Sequence, residues 1–412
     1  MYSKLKEYKK IIQNAGYLGA IEVIRLILPF VALPYILSVI GGENYGIAVF
    51  SQTVISYFMI FVNFGLDESA VKNVSVNRDN KSRLNEIVTS VLAIKATLLL
   101  LGFMVLCVLL STIPFMLEHK WLFIFAYATL LSDIMYPVWF YQGIEKMKYL
   151  TIVKTTSLLF YTISVFIFVR ERDDYDIVVL LQSLGNVFAG LLSLYLLFGV
   201  NKVRLLKPNL SLIKRTFVDS IPFFMSRVSM MINSNMAKMV SGIFLTMESV
   251  AVLDIAGKVC AAGLLPLQSI IQSAYPHIAK TLSQSFVKRS LKYLSIISLA
   301  IAVGIVVLSP IVVPLLSSGE LEGAVFITQL LSIQVFFCSI SIFLGAPVLV
   351  SFGHPGAFNK SVIFSTFVLI GLYSIFYLFD IMSIYSFVII TILIEIFVVS
   401  YRYLSCKAYK II

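Results

Sequence analysis

Charge is scarce in this sequence. Only 13% of its 412 residues are Asp, Glu, Lys or Arg, against about 25% in a soluble domain. That shortage excludes an ordinary water-soluble fold. Cysteine is scarce too. Cys107, Cys260, Cys338 and Cys406 are scattered without metal-ligand spacing, so neither a disulfide framework nor a metal site is expected. The three histidines, His119, His277 and His354, lie far apart and form no ligand cluster. There is no Ser/His/Asp set and no phosphate-cradling glycine loop, so neither catalysis nor a cofactor is expected.

Apolar residues are plentiful: 59% are hydrophobic and the mean hydropathy is +0.95. A helix needs about 20 apolar residues to cross about 30 Å of hydrocarbon. Twelve such stretches can be counted: 16–40, 45–66, 84–110, 120–143, 149–169, 176–199, 217–245, 249–275, 290–316, 325–350, 360–379 and 383–404. Their runs are unbroken rather than alternating, which predicts helices and not a barrel. The expected fold is an all-α polytopic membrane protein with twelve transmembrane helices. Cytoplasmic ends for both termini put 23 Lys and Arg on the inner side and 3 on the outer, a strong positive-inside bias. The net charge of +11 therefore reads as topology and anionic-headgroup contact, with no nucleic acid implied.

The longest basic loop, 200–216, sits at the midpoint. It divides the chain into two six-helix bundles, 1–206 and 207–412. A shift of 205 residues lays Tyr45-Gly46-Ile47 over Val250-Ala251-Val252 and Ser69-Ala70 over Ala274-Tyr275. Six helices plus six in one orientation is the plan of a parallel-repeat transporter.

The few buried charges concentrate in particular spans. A charge at mid-bilayer costs about 2.5–3.5 kcal/mol on insertion scales. Stretch 217–245 nonetheless carries Arg227 and Lys238, eleven residues and about three turns apart on one face, with Ser220, Ser234 and Ser241. Glu22 and Arg25 share a face of the first span, which Pro29 and Pro34 interrupt. Gln52, Ser56 and Asn63 line one face of the second, either gluing helices or lining a path. Lys95 and Asp133 fall mid-span in neighbouring helices, as an ion pair or as a cavity lining. Asp254 and Lys258, four apart in the eighth span, have the spacing of an intrahelical pair. Glu395 stands alone in the twelfth. Such a set predicts a central cavity of cationic character.

Several short runs carry a family resemblance. Trp139-Phe140-Tyr141-Gln142-Gly143-Ile144-Glu145 resembles the signature of the bacterial polysaccharide repeat-unit flippases, the Wzx-type branch of the MOP exporter superfamily. Glu43-Asn44-Tyr45-Gly46, Phe64-Gly65 with Ser69-Ala70-Val71-Lys72, Ala256-Gly257-Lys258-Val259 and Tyr275-Pro276 resemble further family segments in order. Lys72 stands where the family has Arg, and Gly257 departs from its Glu.

The resemblance implies a MATE-like pair of bundles around a cationic cavity. It implies movement of an undecaprenyl-pyrophosphate-linked oligosaccharide from the cytoplasmic to the outer leaflet of the bacterial inner membrane, by alternating access. Arg25, Lys95, Arg227, Lys238, Lys258, Gln52 and Asn63 are the expected substrate contacts. Glu22, Asp133 and Asp254 are the candidates for proton or sodium coupling. Expected partners are the lipid-linked substrate, membrane lipids, a polymerase and a chain-length regulator. The competing classes are a MATE-like exporter of drugs or small cations, which an acidic cavity would favour, and a membrane polymerase or glycosyltransferase, which the short outer loops disfavour.

Overall fold

The structure is a computed structural model. It describes residues 2–412 except Pro208, and the side chains of residue 28 and of 30–412 except Pro208 and Ser226. Every regular element among the described residues is helical. Hydrocarbon offers no water to a backbone N–H or C=O, and a helix satisfies both within one segment. Ten helices among the described residues are long and apolar enough to cross a membrane. The chain is thus a multi-pass membrane protein.

The expected count was twelve, and two places account for the difference. Stretches 16–40 and 45–66 join in one helix, α1 (Tyr2–Asn63), which breaks at Gly41 (φ 78°, ψ 168°). Stretch 217–245 lies in α9 (Leu210–Phe244). At 1.5 Å per residue α9 reaches about 50 Å, but it is not among the ten, because its Asn, Ser, Lys and Arg residues dilute its apolar ones.

Packing divides the chain into two compact units. Unit 1 comprises residues 1–40 with 51–228, and unit 2 comprises 41–50 with 229–412. The first half of α9 therefore packs with unit 1, although it lies beyond the basic loop.

Unit 1 also holds α2 (Leu66–Val76), α3 (Lys81–Thr112), α4 (Pro114–Glu118), α5 (Lys120–Met135), α6 (Val138–Gly143), α7 (Met147–Phe168) and α8 (Tyr175–Leu194). Pro137 has no N–H to continue α5, so the chain breaks and restarts as α6. The restart drives Trp139, Phe140 and Tyr141 into a core with Leu66, Ala70 and Val74 of α2. Burying each large side chain is worth about 1.5–3 kcal/mol. The Tyr141 hydroxyl donates to the Ser193 carbonyl at 2.7 Å, fixing α6 to α8.

The turn between α1 and α2 is equally specific. Phe64 stacks on Phe217 and on Phe224 of α9, with centroids 4.3 Å apart in both pairs. Gly65 follows at φ 67°. A Cβ there would stand 2.6 Å from the Phe224 nitrogen and 2.8 Å from the Ser220 carbonyl oxygen, both backbone atoms. Gly65→Ala is expected to cost more than the about 1–2 kcal/mol of left-handed strain alone, because α9 must also move. Thermal unfolding of the purified protein checks this, with Gly371→Ala as the neutral control, since nothing lies within 4 Å of a Cβ at that site.

Unit 2 contains the rest of α9, then α10 (Met247–Thr281), α11 (Gln284–Ser317), α12 (Ala324–Phe343), α13 (Pro355–Leu378) and α14 (Ile384–Ala408). Helix α12 packs against α10, α11 and α14. It ends in a π-helical stretch, Leu344–Val350, which contains Pro347 and leaves helical geometry at Gly345. Residues 41–50 join this unit at the start of α10. Gly46 passes so close to the Met247 carbonyl that any Cβ would overlap it.

The helix starts repeat along the chain. Helices α7 and α13 begin at 147 and 355, and α8 and α14 at 175 and 384. Helices α3 and α11 begin at 81 and 284, and α5 and α12 at 120 and 324, so offsets of 203 and 204 lie below the expected 205 and those of 208 and 209 above it.

Candidate functional site

In unit 1 a buried ammonium meets two carboxylates. Lys95 on α3 is 1% exposed. Its Nζ donates to Asp67 Oδ1 at 2.8 Å and to Asp133 Oδ2 at 3.2 Å. Asp67 stands in the first turn of α2 and Asp133 one turn before the Pro137 break. A buried ion is tolerable only when paired and hydrogen-bonded, and this arrangement supplies both. The Asn63 side chain, at the end of α1, stands beside Asp133. Formally, two carboxylates share one ammonium, so the cluster carries an excess of negative charge.

Near it, Arg227 on α9 donates from Nε to Glu68 Oε1 at 2.7 Å, and its Nη2 bonds the same oxygen. Both contacts use a single carboxylate oxygen. Arg227 is 55% exposed, and among the described residues its Nη1 has no protein acceptor. Gln52 Nε2 donates to Gln182 Oε1 at 2.7 Å, joining α1 to α8.

Unit 2 inverts the balance. Asp254 on α10 is 8% exposed. It accepts from the Tyr45 hydroxyl at 2.7 Å and from Lys238 Nζ at 3.3 Å, and it pairs with Lys258 one turn along α10. Lys258 Nζ also donates to the Tyr45 oxygen at 2.5 Å and lies 5.3 Å from that ring's centroid. Two ammonium groups share one carboxylate, so the formal excess is positive.

The sequence-level site thus divides. Lys95, Asp133 and Asn63 converge in unit 1, and Lys238, Lys258 and Asp254 converge in unit 2. Gln52 and Arg227 stand in separate contacts. Arg25 and Glu22 lie outside the described side chains. Each of the four described site cations, Lys95, Arg227, Lys238 and Lys258, has a carboxylate partner. The physical reason is the cost of an unpaired ion among apolar helices. Sequence reading did not single out Asp67 and Glu68, which lie just past stretch 45–66, or Tyr45 as the third partner of Asp254. Nor did it single out Arg402, near the end of stretch 383–404. The structure buries Arg402 at 6% exposure in α14, where it donates to Ser361 and to the Ser341 carbonyl.

Comparison with known proteins follows this geometry. The model of the family described as "Polysaccharide biosynthesis protein" matches residues 11–282. The chain belongs to that family. A relative named "Putative O-antigen transporter" from Escherichia coli (strain K12) is 27% identical over 360 residues, covering 85% of this chain and 86% of the relative. A second protein of that name, from Shigella dysenteriae, is 23% identical over 290 residues, covering 69% and 72%. Among solved structures, the lipid II flippase MurJ in an inward closed conformation aligns with TM-score 0.75 at 15% identity, over 95% of this chain and 87% of that one. An inward-facing multidrug resistance MATE family transporter of the MOP superfamily aligns with TM-score 0.71 at 15% identity, over 96% and 99%. At that identity the two structures establish a shared MOP-type fold for this family member.

Proposed function

We propose that this chain is a flippase that moves undecaprenyl-pyrophosphate-linked oligosaccharide repeat units across the bacterial inner membrane for surface polysaccharide assembly. Family membership and the relatives named as O-antigen transporters support the reading. The observation that carries it is the Asp254 cluster, where two ammonium groups stand against one carboxylate. An excess positive charge among spanning helices is best balanced by an anion, and pyrophosphate is such an anion. Arg227, whose Nη1 has no acceptor among the described residues, is the second contact, suited to bidentate phosphate binding. The acid-rich Lys95 cluster is the place for cation coupling, with Asp133 as its titrating member. In this reading both termini are cytoplasmic and two bundles, 1–206 and 207–412, exchange access by rocking. The substrate is moved and not altered, and a polymerase and chain-length regulator act on it afterwards.

Liposomes holding the purified protein and a fluorescent undecaprenyl-pyrophosphate oligosaccharide test the reading. Protein-dependent loss of label protection against a membrane-impermeant quencher is expected. If that lipid stays in its leaflet while the vesicles take up a cationic dye, the acid-rich cluster is instead the core of a drug exporter. Arg227→Ala is expected to abolish surface polysaccharide export and Arg227→Lys to weaken it. Neither should shift thermal unfolding much, since an exposed ion pair is worth about 0–1 kcal/mol. Normal export by Arg227→Ala at normal protein level removes Arg227 from the site.

A further inference from the structure

The repeat register brings two cavities into correspondence. Met59, Ser132, Asp133, Val153, Asn186 and Ala189 line a cavity of about 130 Å³ in unit 1. Gln268, Ser341, Ile342, Val362, Glu395 and Val398 line one of about 690 Å³ in unit 2. Each of the second set stands 209 residues after its counterpart, as Gln268 does after Met59. The two cavities are the same place in the repeat, and they have diverged in chemistry.

In the small cavity Tyr136 fills space and Asp133 engages Lys95. At the corresponding positions of the large one stand Ile342, with no charge, and Gly345, over which Arg402 and Phe358 pack. Met59 is replaced by a hydrogen-bonding amide, Gln268, and Asn186 by a carboxylate, Glu395. The chamber has thus lost its ion pair and gained room.

What remains there is a set of unspent acceptors on a rigid frame. Among the described residues, Glu395 Oε2 and Asn233 Oδ1 are buried without a hydrogen-bond partner, although Gln334 stands beside the Glu395 carboxyl. Asn233 spends its amide hydrogens on Ser365 at 2.9 Å and Thr366 at 3.3 Å. Arg402, also in the lining, does not pair with Glu395. Its Nε donates to Ser361 at 2.9 Å, its Nη1 to the Ser341 carbonyl at 2.6 Å, and its guanidinium lies 4.8 Å from the Phe358 ring centroid. Between these polar groups the walls are aliphatic and aromatic.

Buried acceptors demand O–H or N–H donors. Apolar walls demand C–H surface. An anion would meet Glu395, and no group of three or more metal-ligating side chains exists among the described residues. A purely apolar ligand would leave both acceptors unpaired. A ring carrying several hydroxyls around a C–H face satisfies every wall, and that ligand is a sugar.

We infer that the unit 2 cavity is a glycan pocket: it receives sugar residues of the transported lipid, with Glu395, Asn233 and Gln268 reading their hydroxyls. This rests on the flippase reading above and assigns the glycan to a different place from the pyrophosphate. Along α10, Gln268 stands ten residues from Lys258, about 15 Å by helical rise, enough to separate the two ends of a headgroup.

The test uses full-length protein in nanodiscs and two probes. One is the phosphate-free repeat-unit oligosaccharide released by mild acid from the source strain's own surface polysaccharide. The other is undecaprenyl pyrophosphate without sugar. Saturable binding of the free oligosaccharide at millimolar concentration is expected. Gln268→Ala and Glu395→Gln should each weaken it about tenfold or more, as loss of a buried hydrogen bond requires. Affinity for undecaprenyl pyrophosphate should be unchanged in both, which also shows that the variants are folded. No saturable binding by the wild-type protein, or equal binding by both variants, overturns the glycan pocket while leaving liposome flipping intact. Failure of flipping itself is a different result, and it removes the underlying reading.

Discussion

Lys95→Met is expected to destabilise the protein by about 3–5 kcal/mol, the usual cost of removing one partner from a buried ion pair. The size follows from what stays behind. Asp67 and Asp133, both mostly buried, would face each other with no cation between them. Repulsion of like charges and loss of two charge-assisted hydrogen bonds then act together. Thermal unfolding in detergent reads the effect directly. The companion variant carries Lys95→Met with Asp67→Asn and Asp133→Asn. It removes all three formal charges, and it should recover most of the lost stability, because a neutral hydrogen-bonding set needs no counter-ion. Export should stay low in the triple variant, since its carboxylates can no longer bind a coupling cation. If Lys95→Met unfolds at the wild-type temperature, the buried pairing is not what holds α2, α3 and α5 together.

The sequence made much of this arrangement legible, and the limits have physical causes. Lys95 with Asp133, and Asp254 with Lys258, could be paired because adjacent helices and a four-residue spacing bring them together whatever the detailed packing. Lys238 reaching Asp254, Arg227 reaching Glu68, and Tyr45 capping Asp254 could not. Their separations of 16, 159 and 209 residues are closed only by tertiary packing. Asp67 and Glu68 looked like loop because hydropathy falls sharply there. In fact the helix restarts at Leu66, and both acids lie in its first turn, where the helix dipole favours negative charge. Arg402 looked like a topology signal because it lies near the end of the last span, yet a guanidinium there can turn inward and spend its donors on Ser341 and Ser361. The short family-like runs proved easier to interpret. Tyr45, Gly46, Gly65 and Tyr141 each occupy a contact that another residue type could not make.

Lys258→Gln separates stability from transport at the Asp254 cluster. In the wild-type protein Asp254 holds Lys238, Lys258 and the Tyr45 hydroxyl. With Lys258 gone, Asp254 keeps Lys238 and Tyr45, so the carboxylate stays paired and thermal unfolding should change little. The formal excess of positive charge disappears, however, and export of surface polysaccharide should fall at least tenfold, the effect of about 1.4 kcal/mol on an anion's affinity. Asp254→Ala runs the other way. It leaves two ammonium groups close together with no counter-charge, and the expected loss is again about 3–5 kcal/mol. Asp254→Asn combined with Lys238→Gln restores the wild-type excess of one positive charge without the carboxylate. That pair should recover stability over Asp254→Asn alone, and with it a measurable part of export. The contrast matters because a purely structural salt bridge predicts the opposite ranking, with export tracking stability in all of these variants. Normal export by Lys258→Gln at normal protein level would mean that the positive excess has no part in holding the substrate.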